Sequence, residues 1–226
     1  MRGEMHEGTG LQFVTMVPDE YTSGSSYPLV IMLHGFGANM QDLAGLAPVI
    51  NDTGYVYACP NAPIPFQLGP GQTGFGWMTP RGGGTSEETA NSVKLVGDFF
   101  DAIFEEFNVT PRNALLLGFS QGGGMTYRCG VNRADRVAGL VALSATLPEQ
   151  DELVAGLPEE RTQPIFIAQG RHDQMVSEDT AHSAKAFLES NGYSPDFHLY
   201  DMGHEISNEV LRDLIPWVAN VLPPKV

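Results

Sequence analysis

Residues 113–130 read NALLLGFSQGGGMTYRCG, and no other stretch narrows the possible folds as much. Leu115, Leu116 and Leu117 form a short apolar run suited to a buried strand, and Gly118-Phe119-Ser120-Gln121-Gly122 then matches G-x-S-x-G. That pattern describes a tight passage from strand to helix with one serine at its tip, a nucleophile elbow. Gly118 and Gly122 lack a Cβ, so strand and helix can approach closely while Ser120 takes a strained backbone conformation. A helix starting near Gln121 aims unsatisfied N–H groups and its positive dipole end at the serine.

Around the elbow, apolar runs alternate with helix-like segments. Leu11–Val17 is the first expected strand, followed by Tyr27–Leu33, Gly54–Cys59, Arg136–Ala145, Pro164–Gln169 and Asp196–Tyr200. Several are near-continuous in Val, Ile and Leu, as parallel strands covered on both faces are. Asn39 is placed to cap a helix reaching Ile50, and Thr85 with Glu88 forms a capping box for a long helix. Ser177 opens another helix, and Ile206–Val221 supplies the last, with Pro216 expected to kink or end it. The alternation predicts an α/β fold: one domain over residues 1–226, a mostly parallel sheet with helices on both faces, and no large separate cap domain. Residues 60–86 interrupt it. Their many prolines and glycines read as a long irregular loop, and the aromatic residues among them favour a packed wall bordering the substrate groove.

Two further residues complete a chemical pattern. Asp173 and His204 each stand just past an expected strand, as Ser120 does, and parallel strands gather such positions along one sheet edge. The chain order Ser, acid, His is the one used by α/β-hydrolases. In that chemistry Ser120 attacks a carbonyl carbon, His204 moves its proton, and Asp173 fixes the imidazole tautomer. Two backbone N–H groups must face the oxyanion; Gln121 supplies one, and Phe36, after the Tyr27–Leu33 run, supplies the other. His6, His182 and His198 do not follow strand ends, His172 shares the acid's own loop, and His34 reads as a support for the Phe36 loop. Asp201 is too near His204 in sequence to orient it easily. Gly69–Gly74 fits G-x-G-x-x-G literally, but with no strand leading in and Pro70 inside it, a dinucleotide site is not expected.

Composition excludes several partners. Against 27 acidic residues stand 12 basic ones, a formal net charge of −15, which repels nucleic-acid backbones and anionic lipid surfaces. Cys59 and Cys129 lack metal-site spacing and read as buried free thiols. No apolar h-region opens the chain, so a cytoplasmic protein without stable membrane association is expected, with no metal and no cofactor. Monomer and homodimer both stay open.

The motifs LHGFG (33–37), CPNAP (59–63), GFSQGG (118–123), GRHDQMV (170–176) and Gly203-His204, in this order, resemble the phospholipase/carboxylesterase family of α/β-hydrolases. That family includes bacterial carboxylesterases and acyl-protein thioesterases. The resemblance implies Ser120, Asp173 and His204 as a triad, with Phe36 and Gln121 at the oxyanion positions. It also implies an acyl groove beside the middle loop, where Trp77 is kept but the aromatic residue and aspartate usual after it are not. Phe36, Phe66, Phe75, Trp77 and Met78 are the expected acyl-pocket residues. The expected activity is a serine carboxylesterase on short- to medium-chain acyl esters. The alternatives are a thioesterase or lysophospholipase on long acyl chains and, in a different class, a non-catalytic binding module.

Overall fold

The computed structural model describes residues 1–7, 10–80 and 85–226. In chain order its elements are β1 (Arg2–His6), β2 (Phe13–Val17), β3 (Leu29–Leu33), α1 (Met40–Ala44), α2 (Ala47–Ile50), β4 (Val56–Pro60), β5 (Ile64–Gly69), β6 (Gln72–Gly76) and α3 (Ser86–Glu106). There follow β7 (Ala114–Phe119), α4 (Gln121–Gly130), β8 (Gly139–Leu143), α5 (Gln150–Val154), β9 (Ile165–Gly170), α6 (Glu178–Ser190), β10 (Asp196–Tyr200) and α7 (Asn208–Val221). Eight strands form one sheet in the order β1-β2-β4-β3-β7-β8-β9-β10. Pairing is antiparallel from β1 through β2 to β4 and parallel beyond. This is the α/β-hydrolase architecture expected, with no separate cap among the described residues.

Alternation along the central strands explains why both faces are covered. Leu29, Ile31 and Leu33 of β3 pack with Phe99 and Ile103 of α3 and Met125 of α4. Val30 and Met32 point the other way, into a second cluster with Leu43 of α1 and Val210, Leu214 and Val218 of α7. Every residue of β3 is fully buried, which stabilises the sheet centre by about 1.5–3 kcal/mol per large apolar side chain.

Four local readings need correction. β1 was not expected; its residues are almost all exposed, and an edge strand without a buried face leaves no apolar alternation to read. The helix from Asn39 is capped as expected, Asn39 Oδ1 accepting from Gln41 N–H at 2.8 Å, but it breaks into α1 and α2. Gly45 and Pro48 cause the break: proline near the start of α2 cannot continue the earlier helix's hydrogen bonds. Residues 60–86 are not irregular throughout, because β5 and β6 pair as an antiparallel hairpin: β5 leads into the Gly69–Gly74 string, Pro70-Gly71 is its turn, and Gln72–Gly74 open β6. Of the two outcomes expected at Pro216, an end to α7 does not occur: the helix runs on to Val221, with Pro216 on the exposed side, where water can reach the freed carbonyl.

Candidate active site

β7 delivers Ser120 to the C-terminal edge of the sheet. Its backbone is left-handed, φ 55 and ψ −118, and its N–H donates to Leu143 O of β8 at 2.8 Å. Space decides the residues around it: a Cβ on Gly118 would lie 2.2 Å from Gly122 O, and one on Gly122 would lie 2.0 Å from Leu33 O. α4 is thus glycine-rich against its propensity, each glycine costing about 1 kcal/mol relative to alanine. Close packing onto β3 and β7 offsets that loss. The serine hydroxyl is left partly exposed at the helix N-terminus.

From the next strands come the other two groups. His204 Nε2 stands 2.9 Å from Ser120 Oγ, and His204 Nδ1 stands 2.7 Å from Asp173 Oδ2. The loops after β9 and β10 are held backbone to backbone, Arg171 N–H donating to Tyr200 O at 2.9 Å and His172 N–H to Met202 O at 3.0 Å. Asp173 Oδ1 accepts from the N–H groups of Met175 (2.8 Å) and Val176 (2.9 Å), and its side chain is 0% exposed. Burial alone would raise the Asp173 carboxyl. The Val176 N–H, the His204 ring and the Met175 N–H outweigh it and hold the group below the usual carboxylate range. Phe119 packs its ring 4.8 Å from that of His204.

The opposite wall is the loop after β3. Ala62 N–H donates to His34 Nε2 at 3.0 Å, so the proton sits on Nδ1 and goes to Gly35 O at 2.7 Å. Burial lowers the His34 pKa and keeps this buried imidazole neutral. The β5–β6 hairpin then pairs with the loop as a strand would. Gly37 N–H donates to Phe75 O at 2.8 Å, and Phe75 N–H donates to Ala38 O at 2.9 Å. Gln121 ties the same segment to the elbow: its Oε1 accepts from Trp77 N–H at 2.6 Å and its Nε2 donates to Met78 O at 2.7 Å. The N–H of Gln121 itself opens α4 and has no intrahelical partner.

The model of the phospholipase/carboxylesterase family matches residues 21–222. The chain belongs to that family. It is 28% identical over 215 residues to acyl-protein thioesterase 1 of Aspergillus fumigatus, covering 87% of this chain and 88% of that one. To the carboxylesterase SOBER1 of Arabidopsis thaliana it is 30% identical over 133 residues, 58% of each chain. Its fold matches the crystal structure of the esterase PE8 with a TM-score of 0.82 at 21% identity, covering 94% of this chain and 99% of that one. A hydrolase of the carboxylesterase and acyl-protein thioesterase group is thereby shown.

In this family member a cleft of about 1060 Å³ opens beside Ser120. Its floor runs along α4 through Gly124 and Arg128; α3 supplies one wall with Thr89 and Val93, and Leu147 and Leu153 lie on the other. Of the five residues expected to line an acyl pocket, only Met78 borders this cleft. Trp77 is 0% exposed, and its indole N–H donates to His34 O at 2.9 Å, so it braces the loop from behind. Phe36, 39% exposed, meets Phe66 edge-on at 4.8 Å between ring centroids, and Phe75 packs against the core; these three stand outside the cleft. The competing histidines have other partners: His6 bonds Thr15 Oγ1 at 2.8 Å, His182 sits 3.4 Å from Glu178, and His172 takes Asp201 at 2.5 Å. Cys59 and Cys129 are buried free thiols, the latter pushed up to about 12 by burial. Among the described residues no group of three or more His, Cys, Asp and Glu could hold a metal ion, and no helix is long and apolar enough to cross a membrane.

Proposed function

We propose that the protein is a serine carboxylesterase that hydrolyses short- to medium-chain acyl esters through an acyl-enzyme on Ser120. The observation that carries this reading is the hydrogen-bonded chain from Ser120 Oγ through His204 to Asp173, at 2.9 and 2.7 Å. His204 Nε2 takes the hydroxyl proton as Ser120 Oγ bonds to the ester carbonyl carbon. The carbonyl oxygen gathers negative charge, facing the N–H groups of Phe36 and Gln121. Asp173 stabilises the imidazolium, which then gives its proton to the departing alcohol. Water repeats the sequence and releases the acid.

The cleft supports the chain-length preference. Arg128 lies in it, paired with Glu152 at 3.1 Å, its side chain 15% exposed. Measured along α4, this pair stands on the order of 12 Å from Ser120, eight residues at 1.5 Å each. An apolar chain reaching further would strip water from an ion pair, which is unfavourable. A net charge of −15 and two buried free thiols support work on a soluble ester in a reducing cytoplasm, as a single domain away from nucleic acid and anionic membranes.

A second reading, an acyl-protein thioesterase, draws on the Aspergillus relative of that name, which matches over 87% of this chain. Both are tested by esters and thioesters from C2 to C16, together with fluorophosphonate labelling of wild type and Ser120→Ala. The carboxylesterase reading expects labelling only of the wild type and a rate peak below C12. In Arg128→Leu/Glu152→Leu the peak should move to longer chains. A wild-type peak at C12 or above on thioesters selects the second reading, and an unlabelled, inactive wild type rejects both.

A further inference from the structure

β9 ends in a residue that apolar packing does not explain. Gln169 is 0% exposed, on a strand whose other residues are Ile165, Phe166, Ile167, Ala168 and Gly170. Its Nε2 has three acceptors: Val176 O at 2.7 Å, Asp173 Oδ2 at 3.1 Å and Gly170 O at 3.3 Å. All three are oxygens, so the NH₂ end must face them, and the orientation of the amide is fixed. Its Oε1, by contrast, is buried with no hydrogen-bond partner. A buried unpaired acceptor destabilises a fold, and an apolar side chain of similar size would avoid it. The unpaired Oε1 costs stability, so it is the bonds of Nε2, one of them to the acid, that account for a glutamine here.

We propose that Gln169 is a positioning residue for the acid and the imidazole. This inference rests on the reading of Ser120, His204 and Asp173 as the catalytic groups. One carboxamide grips the loop that carries Asp173 at its start (Gly170), its middle (Asp173) and its end (Val176). Met175 and Val176 hold Oδ1 through their N–H groups, and Gln169 shares Oδ2 with His204. Both carboxylate oxygens are thus fixed before the imidazole arrives, and Oδ2 keeps one direction open for the Nδ1 proton. Without Gln169 the carboxylate can rotate about its Oδ1 contacts, and the imidazole loses its aim at Ser120.

The test compares wild type, Gln169→Leu and Ser120→Ala as full chains. For Gln169→Leu the expectation is a fall in kcat of about tenfold with KM within about twofold, the size expected when a hydrogen bond to a charged group is lost. Fluorophosphonate labelling should slow by a similar factor while the melting temperature changes little. The low-field proton resonance of the His204 Nδ1–H bond should move. Wild-type kcat and an unmoved resonance in a folded Gln169→Leu overturn the proposal. If that variant does not fold, Gln169→Met is read in the same way, and failure of both to fold also overturns it, since the carboxamide would then serve the fold. An inactive, unlabelled wild type instead sinks the reading of the triad on which the inference rests.

Discussion

Gly74 offers the sharpest test of how the Phe36 loop is held. A Cβ added there would lie 2.1 Å from Gly37 O and 2.7 Å from Leu68 Cδ1, far inside ordinary contact. The obstruction is backbone, so in Gly74→Ala the β5–β6 hairpin must withdraw from the loop by ~1 Å. Two hydrogen bonds stretch as it does so, Gly37 N–H to Phe75 O and Phe75 N–H to Ala38 O, at 2.8 and 2.9 Å. Their loss destabilises the fold by about 1–3 kcal/mol, a melting temperature roughly 2–12 °C lower for a chain of this size. The Phe36 N–H, the proposed oxyanion donor, is displaced with them. Misplacement by about 1 Å costs on the order of 100-fold, and deleting such a donor costs about 100- to 1,000-fold. The expected fall in kcat/KM is therefore about 100-fold, most of it in kcat. Steady-state hydrolysis of a short p-nitrophenyl ester, with a thermal melt, measures both quantities. Gly71→Ala is the control. Its φ of +73 strains an alanine by about 1–2 kcal/mol, yet nothing lies within 4 Å of the new methyl at the hairpin tip. It should melt lower and keep its activity. A Gly74→Ala enzyme with wild-type kcat/KM, or a Gly71→Ala enzyme equally impaired, would refute the claim that the hairpin sets the position of that N–H.

Asp173→Asn should abolish most turnover, because an amide favours the wrong imidazole tautomer. It should also change acid stability. The folded carboxyl titrates below its ordinary value of 3.8, so its stabilising contribution is present above that value and is lost as pH falls through the folded pKa. The stability gap between wild type and Asp173→Asn should be constant at neutral pH and narrow below about pH 4; urea unfolding at a series of pH values measures it. Pro216→Ala should restore a hydrogen bond from residue 216 to Arg212 O inside α7. After allowing for the looser unfolded chain, it should raise stability by about 1–2 kcal/mol, roughly 2–8 °C in melting temperature, with no change in kcat.

The central strands were legible because β3, β7 and β9 are buried on both faces, which leaves uninterrupted apolar runs. Ser120 and Asp173 were legible for a related reason, each following such a run; His204 follows the half-buried β10, and parallel strands end on one side. The periphery was harder to read. β1 shows no hydrophobic pattern because its side chains meet water. In the hairpin, Ile64, Phe66 and Leu68 do alternate, with Pro70-Gly71 as the turn. Pro65 and a register shift between Gln67 and Gly69 obscured that signal. Trp77 reads in sequence as a groove residue only because its loop borders the site, and the direction of a side chain cannot be inferred from the position of its loop. Gln169 did carry a signal, a lone amide in an apolar strand four residues before the acid.

The proposed reactive groups stand just past β7, β9 and β10, while much of the cleft's lining comes from other positions: Met78 after the hairpin, Thr89 and Val93 of α3, Leu147 and Glu149 before α5. Outside α4, which serves both, selectivity would draw on residues that the proposed chemistry does not use. A mutant library confined to those positions can search new substrates at little risk to the reaction itself, and an inherited change of substrate would leave its trace there first.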